Sequence, residues 1–488
     1  MKKKKFLIIY NQDSTNLFFI NKEPLTPVHV DRMVDEVADS GADVFLVNPN
    51  CQKVNYPSKV WETDWQEYAP GDSDMFDSSI MQMRVLAEQC DYLERALRRC
   101  RQRGLVPGVT VRMNDMHDAP DPDSHLHSRF WKEHPEFRLK TPGRDWAGSG
   151  LNYEYPEVRQ RFLVLIDELV NNYDFDFLEL DFMRFPCYFE RNDFERHCEI
   201  MNDFLRNVRT IIRNAGKTID LVPRVAATPS SAYSLGFDVR SWADERLVDG
   251  ITTGRFLTVG WELPVDQFRE AVSDKIPVYS CTEIIAWRAA EGILPSRSFS
   301  LEPELLRGFA AGAHALGASG IEFFNFFCPR EPREGEDRSR TKLAFDTFRE
   351  LRDVEQLQKL PRRNLITTGT SHIFESDLPL QVPVEVSQDI AREFKLLLLA
   401  PAANTKVKCI VYIENEIDSE ELLLHINAIF VGCSEQIEIL NEEKKIFQAE
   451  FTLKPEFVRD GWNQLSLYCA AKVIIQSLEI VYFSEREI

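Results

Sequence analysis

Eight short apolar runs alternate with amphipathic segments between residues 5 and about 360, and this alternation constrains the fold more than any other feature of the chain. The runs are residues 5–10, 44–47, 106–112, the apolar middle of 172–186, 220–225, 249–253, 277–281 and 320–324. Helical patterns fill the gaps at 28–40, 78–103, 156–171, 194–215, 238–246, 265–273, 303–315 and 341–357. Gly104 stops the second, Pro156 sits where a first turn tolerates a missing N–H, and Asp238 is placed to cap the fifth. Eight strand–helix units in about 350 residues predict an α/β chain folded as a (β/α)8 TIM barrel. A doubly wound sheet is the rival, but it would carry a Gly-rich phosphate turn after its first strand. Here that turn reads Asn11-Gln12-Asp13-Ser14-Thr15, and neither GxGxxG nor a Walker motif occurs.

After Pro361 the helical period fades. Short apolar strands follow at 395–399, 407–413, 422–431, 436–439, 446–453, 465–469 and 474–482, separated by turn signals. They predict a smaller all-β, jelly-roll-like sandwich, which divides the chain into a barrel at 1–360 and a sandwich at 361–488. A chain of 488 residues is too long for one core. Phe447, Phe451, Trp462 and Tyr468 fall largely within apolar strand patterns, which favours a structural role for the second domain.

The formal net charge of −20 argues against a nucleic-acid partner. Ten scattered cysteines without CxxC spacing read as reduced thiols. The start, Met1 to Tyr10, imitates a signal peptide, but its apolar run stops at Asn11. No run approaches the roughly 18 residues of a membrane span. The expectation is a cytoplasmic chain with no membrane partner and no cofactor, its oligomeric state open.

Chemistry is sought where barrel enzymes keep it, just past the C-terminal ends of the strands. In the fourth run Glu179 and Asp181, two residues apart, project to one side of a strand. Burying both costs several kcal/mol unless they are paired or reach a cleft. Asp181, nearer the strand end, is the stronger candidate, and Glu179 is equally well explained by an ion pair. The other strand ends offer Asn11 and Asp13; Asn48 and Asn50; Arg112, Asn114, Asp115 and His117; Arg184; Arg224; Arg255 and Glu262; Glu283 and Trp287; and Glu322 and Asn325. A polar ring drawn from all eight strands predicts a ligand site. The insertions after strands two and three carry Tyr56, Trp61, Trp65 and Tyr68, then His125, His127, Trp131, His134 and Trp146. Aromatic faces suit sugar rings, although about half are expected to anchor their own loops. The histidines match no zinc spacing. Arg112, Arg184, Arg224, Arg255 and Arg288 either neutralise the buried acids or hold a carboxylate or sulfate on a substrate.

The segments Tyr10-Asn11-Gln12-Asp13-Ser14, Val111-Arg112-Met113-Asn114-Asp115-Met116-His117 and Trp131-Lys132-Glu133-His134-Pro135-Glu136-Phe137 resemble the family-10-like glycosyl hydrolases. So does Tyr155-Pro156-Glu157-Val158-Arg159 running into the fourth strand. The resemblance covers roughly residues 5 to 350, and it departs at Asp174-Phe175 and Leu180-Asp181, where members often carry Asp-Gly and paired aspartates. Residues 178–184 also resemble the strand-four nucleophile segment of α-galactosidase-like barrels, whose aspartate matches Asp181. Met183 stands where chitinase-like barrels carry a glutamate. The resemblance implies a barrel acting on glycans. Glycoside hydrolysis needs two carboxyl groups, and the expected pair is Asp181 as nucleophile or base and Glu283 as proton donor, with Glu322 and Asp115 in reserve. Ile284, Ile285 and Trp287 are expected to raise the Glu283 pKa. Asn11, Asp13, Asn48, Arg112, Asn114, Asp115, His117, Arg184, Arg224, Arg255, Trp287 and Asn325 are the expected substrate-binding residues. The alternatives are a glycan-binding protein on a degenerate barrel, and a lyase or isomerase acting on an acidic sugar.

Overall fold

The computed structural model describes residues 5–13, 15–21, 23–66, 68, 75–117, 121–140, 150–190, 193–256, 258–283, 286–288, 296–298, 302–331, 340–366, 378, 380–441 and 445–483. Eight parallel strands, β1 (Leu7–Asp13), β2 (Val44–Asn48), β3 (Val106–Arg112), β4 (Phe177–Asp181), β5 (Asp220–Val225), β6 (Ile251–Thr253), β7 (Val278–Thr282) and β8 (Gly320–Phe324), close on themselves as a TIM barrel. The rival open sheet is excluded, because β1 pairs with both β2 and β8. The connecting helices are α1 (Thr15–Ile20), α2 (Pro27–Ser40), α3 (Met75–Ala87), α4 (Tyr92–Arg103), α5 (Arg129–Glu133), α6 (Pro156–Asn172), α7 (Phe194–Asn214), α8 (Pro229–Ser234), α9 (Val239–Asp244), α10 (Val265–Ala271), α11 (Pro303–Ala315) and α12 (Val354–Leu357). Among the described residues no helix is long and apolar enough to cross a membrane, and all ten cysteines are free thiols.

Three expected elements divide. The helix expected over 78–103 is two helices: the first ends at Ala87, and Asp91 caps the second, accepting from Leu93 N at 2.9 Å and Glu94 N at 3.2 Å. The segment 341–357 is mostly a 3-10 turn, Phe345–Arg352, followed by α12. The strand expected over 422–431 is a hairpin, described below.

The barrel interior is layered. At its N-terminal end Ile9, Val44, Leu46, Phe177, Val222 and Tyr279 form an apolar plug. One side-chain layer higher stand Asn11, Thr110, Glu179, Cys281 and Glu322, all buried. Above them, at the C-terminal ends, come Asp13, Arg112, Asp181, Arg224 and Glu283. The strand period of two sets these layers, and the register aligns Arg112 with Asp181 and Asp181 with Arg224.

Beyond the barrel two antiparallel sheets form a sandwich. The strands are β9 (Arg362–Ile366), β10 (Val384–Val386), β11 (Arg392–Leu398), β12 (Lys406–Glu414), β13 (Leu422–Ile426), β14 (Ile429–Cys433), β15 (Gln436–Asn441), β16 (Ile446–Leu453), β17 (Gly461–Cys469) and β18 (Val473–Phe483). One sheet runs β9-β18-β12-β16-β15, with β10 also on β18, and the other runs β11-β17-β13-β14. Alternate residues of both fill the core between them. Phe447 and Phe451 lie in that core, whereas Tyr468 is exposed. Trp462 is turned to the barrel instead, its Nε1 donating to Asp266 Oδ2 of α10 at 3.0 Å.

Candidate active site at the barrel mouth

Asp181 ends β4 and is buried. Its carboxylate accepts from Arg224 Nε and Nη2, both at 2.9 Å, and from the backbone N–H groups of Met183 at 2.9 Å and Arg184 at 3.0 Å. Those two amides come from the turn 182–185, which closes with Phe185 at φ 61. A left-handed conformation is costly for a bulky residue and is held only where the surroundings over-determine it. The same guanidinium reaches a second carboxyl, with Arg224 Nη1 3.5 Å from Glu283 Oε1, and lies 3.8 Å over the Phe324 ring. Glu283 Oε2 accepts from Asn325 Nδ2 at 3.1 Å, and Asn325 is itself left-handed at φ 57. Burial pushes the Glu283 carboxyl up to about 7, against the lowering pull of Arg224, Arg184 and the Asn325 hydrogen bond. The rise was expected from Ile284, Ile285 and Trp287, but the first two and the Trp287 side chain lie outside the described residues, as does the Arg288 side chain.

Across the mouth Arg112 pairs with Asp13 and, at 3.2 Å, with Asp115. It also donates to Cys51 Sγ at 2.9 Å. Asp115 Oδ1 lies 2.8 Å from His117 Nδ1, and Arg184 Nη2 donates to His117 Nε2 at 3.0 Å, so the ring proton sits on Nδ1 and faces Asp115. Burial alone raises the Asp115 carboxyl, but His117, Arg112 and Arg184 together hold it well below the usual carboxylate range. Among the described residues Arg184 has no carboxylate within ion-pair distance, and its buried Nε has no hydrogen-bond partner.

Several expected binding residues serve the barrel wall instead. Asn48 Nδ2 donates to Thr110 O at 2.9 Å, and the Asn114 amide bridges Leu151 O, Cys187 O and Leu151 N, so both latch backbone. Arg255 is buried on Glu262 at 2.9 Å. Asn11 and Glu322 lie a layer below the mouth, where Asn11 Nδ2 donates to Glu179 Oε1 at 2.8 Å and Glu322 Oε1 at 3.1 Å, and Thr110 Oγ1 donates to Glu179 at 2.7 Å. Burial, and then the charge of Glu322, push the Glu179 carboxyl well above the usual carboxylate range. Among the described residues Glu179 Oε2 and Glu322 Oε2 have no hydrogen-bond partner. Glu322 is therefore part of the floor rather than a group open to substrate.

The loop aromatics mostly anchor loops. Tyr56 is buried with its hydroxyl donating to Glu168 at 2.7 Å. Trp61 donates to Arg161 O at 3.1 Å, and Trp131 stacks on His127 at 3.8 Å with Arg138 3.4 Å over its other face. Trp65 packs partly buried against the barrel core, Tyr68 meets His125 edge-on, and Trp146 lies outside the described residues. His134 stacks on Phe137. Among the described residues no three histidines, cysteines or acids are grouped to hold a metal.

Glu331, which the sequence reading did not single out, also reaches this mouth. It follows the 3-10 turn Cys328–Arg330 after β8. Burial and then Asp13 push its carboxyl up to about 7, opposed by Arg184 and Arg112. Its place in a loop past a strand end was the available signal.

No protein-family model matches the chain, and no curated protein sequence matches it, so neither carries the family-10-like resemblance. Solved structures that resemble it include an α-L-fucosidase isoenzyme 2 from Paenibacillus thiaminolyticus, at 11% identity and a TM-score of 0.42 over 70% of this chain and 48% of that one. The chain thus spans about half the length of that protein. A GH36 α-galactosidase AgaB from Geobacillus stearothermophilus matches at 10% identity and 0.40, over 96% of this chain and 55% of that one. A maltogenic α-amylase AmyB from Thermotoga neapolitana matches at 10% and 0.39, over 96% and 98%. At TM-scores below 0.5 these likenesses assign neither family nor activity.

Proposed function

We propose that the barrel is a glycoside hydrolase whose proton donor is Glu283 and whose carboxylate is Asp181. The observation that carries the reading is that one guanidinium, Arg224, touches both groups while their surroundings differ. Glu283 is buried with its pKa raised to about 7, which suits a group that must hand a proton to a glycosidic oxygen near neutral pH. Asp181 accepts four hydrogen bonds, two of them from Arg224, which fix its carboxyl in place and suit it to the role of nucleophile or base beside an oxocarbenium-like transition state. Contact with one guanidinium limits their separation to a few ångströms beyond its own width, the scale at which such pairs flank a glycosidic bond, roughly 5–9.5 Å. The family-10-like resemblance over residues 5–350 supports the same chemistry. Arg184, without a carboxylate partner among the described residues, supports a substrate bearing carboxylate or sulfate groups.

The test is hydrolysis of a panel of neutral, uronic-acid and sulfated oligosaccharides by wild type and Glu283→Gln. Release of sugar by wild type alone supports the reading, and equal release by both proteins overturns the role of Glu283. One observation favours a second reading, a barrel that binds glycans without cleaving them: both Asp181 oxygens are already engaged by Arg224. That reading expects a glycan to raise the melting temperature with no sugar released.

A further inference from the structure

A second cavity, of about 200 Å3, lies behind the mouth between β1, α1, α2 and the 3-10 turn after β8. It is a separate place. Tyr10 and Gln12 line it, whereas Asn11 and Asp13, on the other side of the same strand, face the barrel interior. Its lining is mixed in polarity. Leu17, Met33 and Phe327 supply apolar surface, and Gln12, Asn16, Arg32, Glu36 and Arg330 supply polar groups.

Two of these polar groups are unspent. Asn16 is 2% exposed; its Oδ1 accepts from Gln12 Nε2 at 3.4 Å, but among the described residues its buried Nδ2 has no partner. A buried donor without an acceptor carries its full desolvation penalty, so a ligand acceptor at this point is favoured. The cations are also unbalanced. Arg330 is locked to Glu36 by two hydrogen bonds, at 2.7 and 2.6 Å, and to Thr341 O at 2.9 Å. Arg32 has no carboxylate within ion-pair distance among the described residues, so the lining keeps one positive charge.

We propose that this cavity binds a small, singly anionic, hydroxyl-bearing ligand of about the size of one sugar ring, a sugar acid. Its carboxylate meets Arg32, its hydroxyl oxygens accept from Asn16, and its apolar C–H surface packs on Leu17, Met33 and Phe327. The site does not depend on the hydrolase reading.

Calorimetric titration of the full chain with D-glucuronate, and with D-glucose at the same concentrations, tests it. Saturable binding of glucuronate, much weaker binding of glucose, and a loss of about tenfold or more in affinity in Arg32→Gln are expected. Arg32 is exposed, so this variant is expected to keep its melting temperature. Asn16→Ala weakens binding as well, and Arg184→Gln, at the mouth, leaves it in place. No saturable heat at millimolar glucuronate, glucose binding as tightly, or loss in Arg184→Gln but not in Arg32→Gln would each overturn the proposal. The titration reads binding and not turnover, so its failure is distinct from failure of the hydrolase reading.

Discussion

Glu283 and Asp181 lean on the same guanidinium, but removing each has a different physical consequence. Glu283→Gln keeps the shape and the neutral character of a protonated acid, so it costs little stability and removes only the transferable proton. The expected loss is on the order of 10²–10⁴ in kcat/KM, measured on whichever panel substrate wild type cleaves. Asp181→Asn leaves Arg224 buried without its charge partner, which costs about 3–5 kcal/mol. It should lower the urea midpoint as well as the rate. With the Glu283 pKa at about 7, kcat/KM should fall above that pH. The limb should survive in Glu331→Gln, although Glu331 is raised similarly. The stability sign follows. A folded pKa above the unfolded one stabilises below the unfolded value, near 4.3, and that contribution is lost as pH rises through about 7. Wild type should therefore lose stability relative to Glu283→Gln between pH 5 and 8, and parallel curves would place the titration elsewhere. Strand ends made the place of Asp181 and Glu283 at the barrel mouth legible in the sequence, because a period of two and a C-terminal position are local facts. The depth of a side chain is not local. Asn11 and Glu322 read as mouth residues because only the stagger between strands sets their layer, and Glu331 was missed because a 3-10 turn returns it to the mouth several residues past its strand.

Ile426 and Ile429 pair across a two-residue loop whose members, Asn427 and Ala428, have φ of 51° and 65°. Two positive φ values mark the hairpin turn that matches strand twist and normally uses Asn-Gly. Asn427 suits it and is held by Phe457 O, Asn463 Oδ1 and Gln464 N. Ala428 carries a Cβ where glycine is preferred, so Ala428→Gly should stabilise the chain by about 1 kcal/mol, read from chemical denaturation. An unchanged or lower midpoint would show that the turn is not strained. This hairpin also explains why one strand was expected over 422–431: Asn-Ala inside an apolar run is a weak turn signal, and packing of Asn427 against distant strands supplies the rest. Asp91 is similar. Its cap hydrogen bonds and the Tyr173 hydroxyl at 2.6 Å divide a continuous helical period into α3 and α4. Asp91→Ala should cost about 1–2 kcal/mol. The strands at 106–112, 220–225 and 320–324 were legible to the residue, because each is a short stretch rich in apolar residues set between two helical patterns.

Barrel and sandwich meet through α11, and the closeness of that contact predicts how the molecule unfolds. Gly308 lies against β9, and a Cβ there would come within 1.9 Å of Arg363 O. Asn364 Nδ2 bridges Gly308 O and Leu397 O, each at 3.0 Å, tying the helix to both sheets. With the Trp462–Asp266 hydrogen bond at a second point, the two parts share a packed boundary, and one cooperative transition is expected. Gly308→Ala separates two opposing effects. Alanine favours an exposed helix interior by up to about 1 kcal/mol over glycine. Here the obstacle is backbone carbonyl, which cannot rotate aside, and overpacking costs about 1–3 kcal/mol or more. The clash should win, lowering the midpoint and splitting the transition as the sandwich loosens from the barrel. Gly312, one turn on, is the control. Its added Cβ would meet only the Leu397 side chain, at 3.1 Å, which can shift, so Gly312→Ala should leave a single transition with a smaller change in midpoint. Equal effects from the two substitutions would mean that the boundary yields as a whole, and that barrel and sandwich are stable apart.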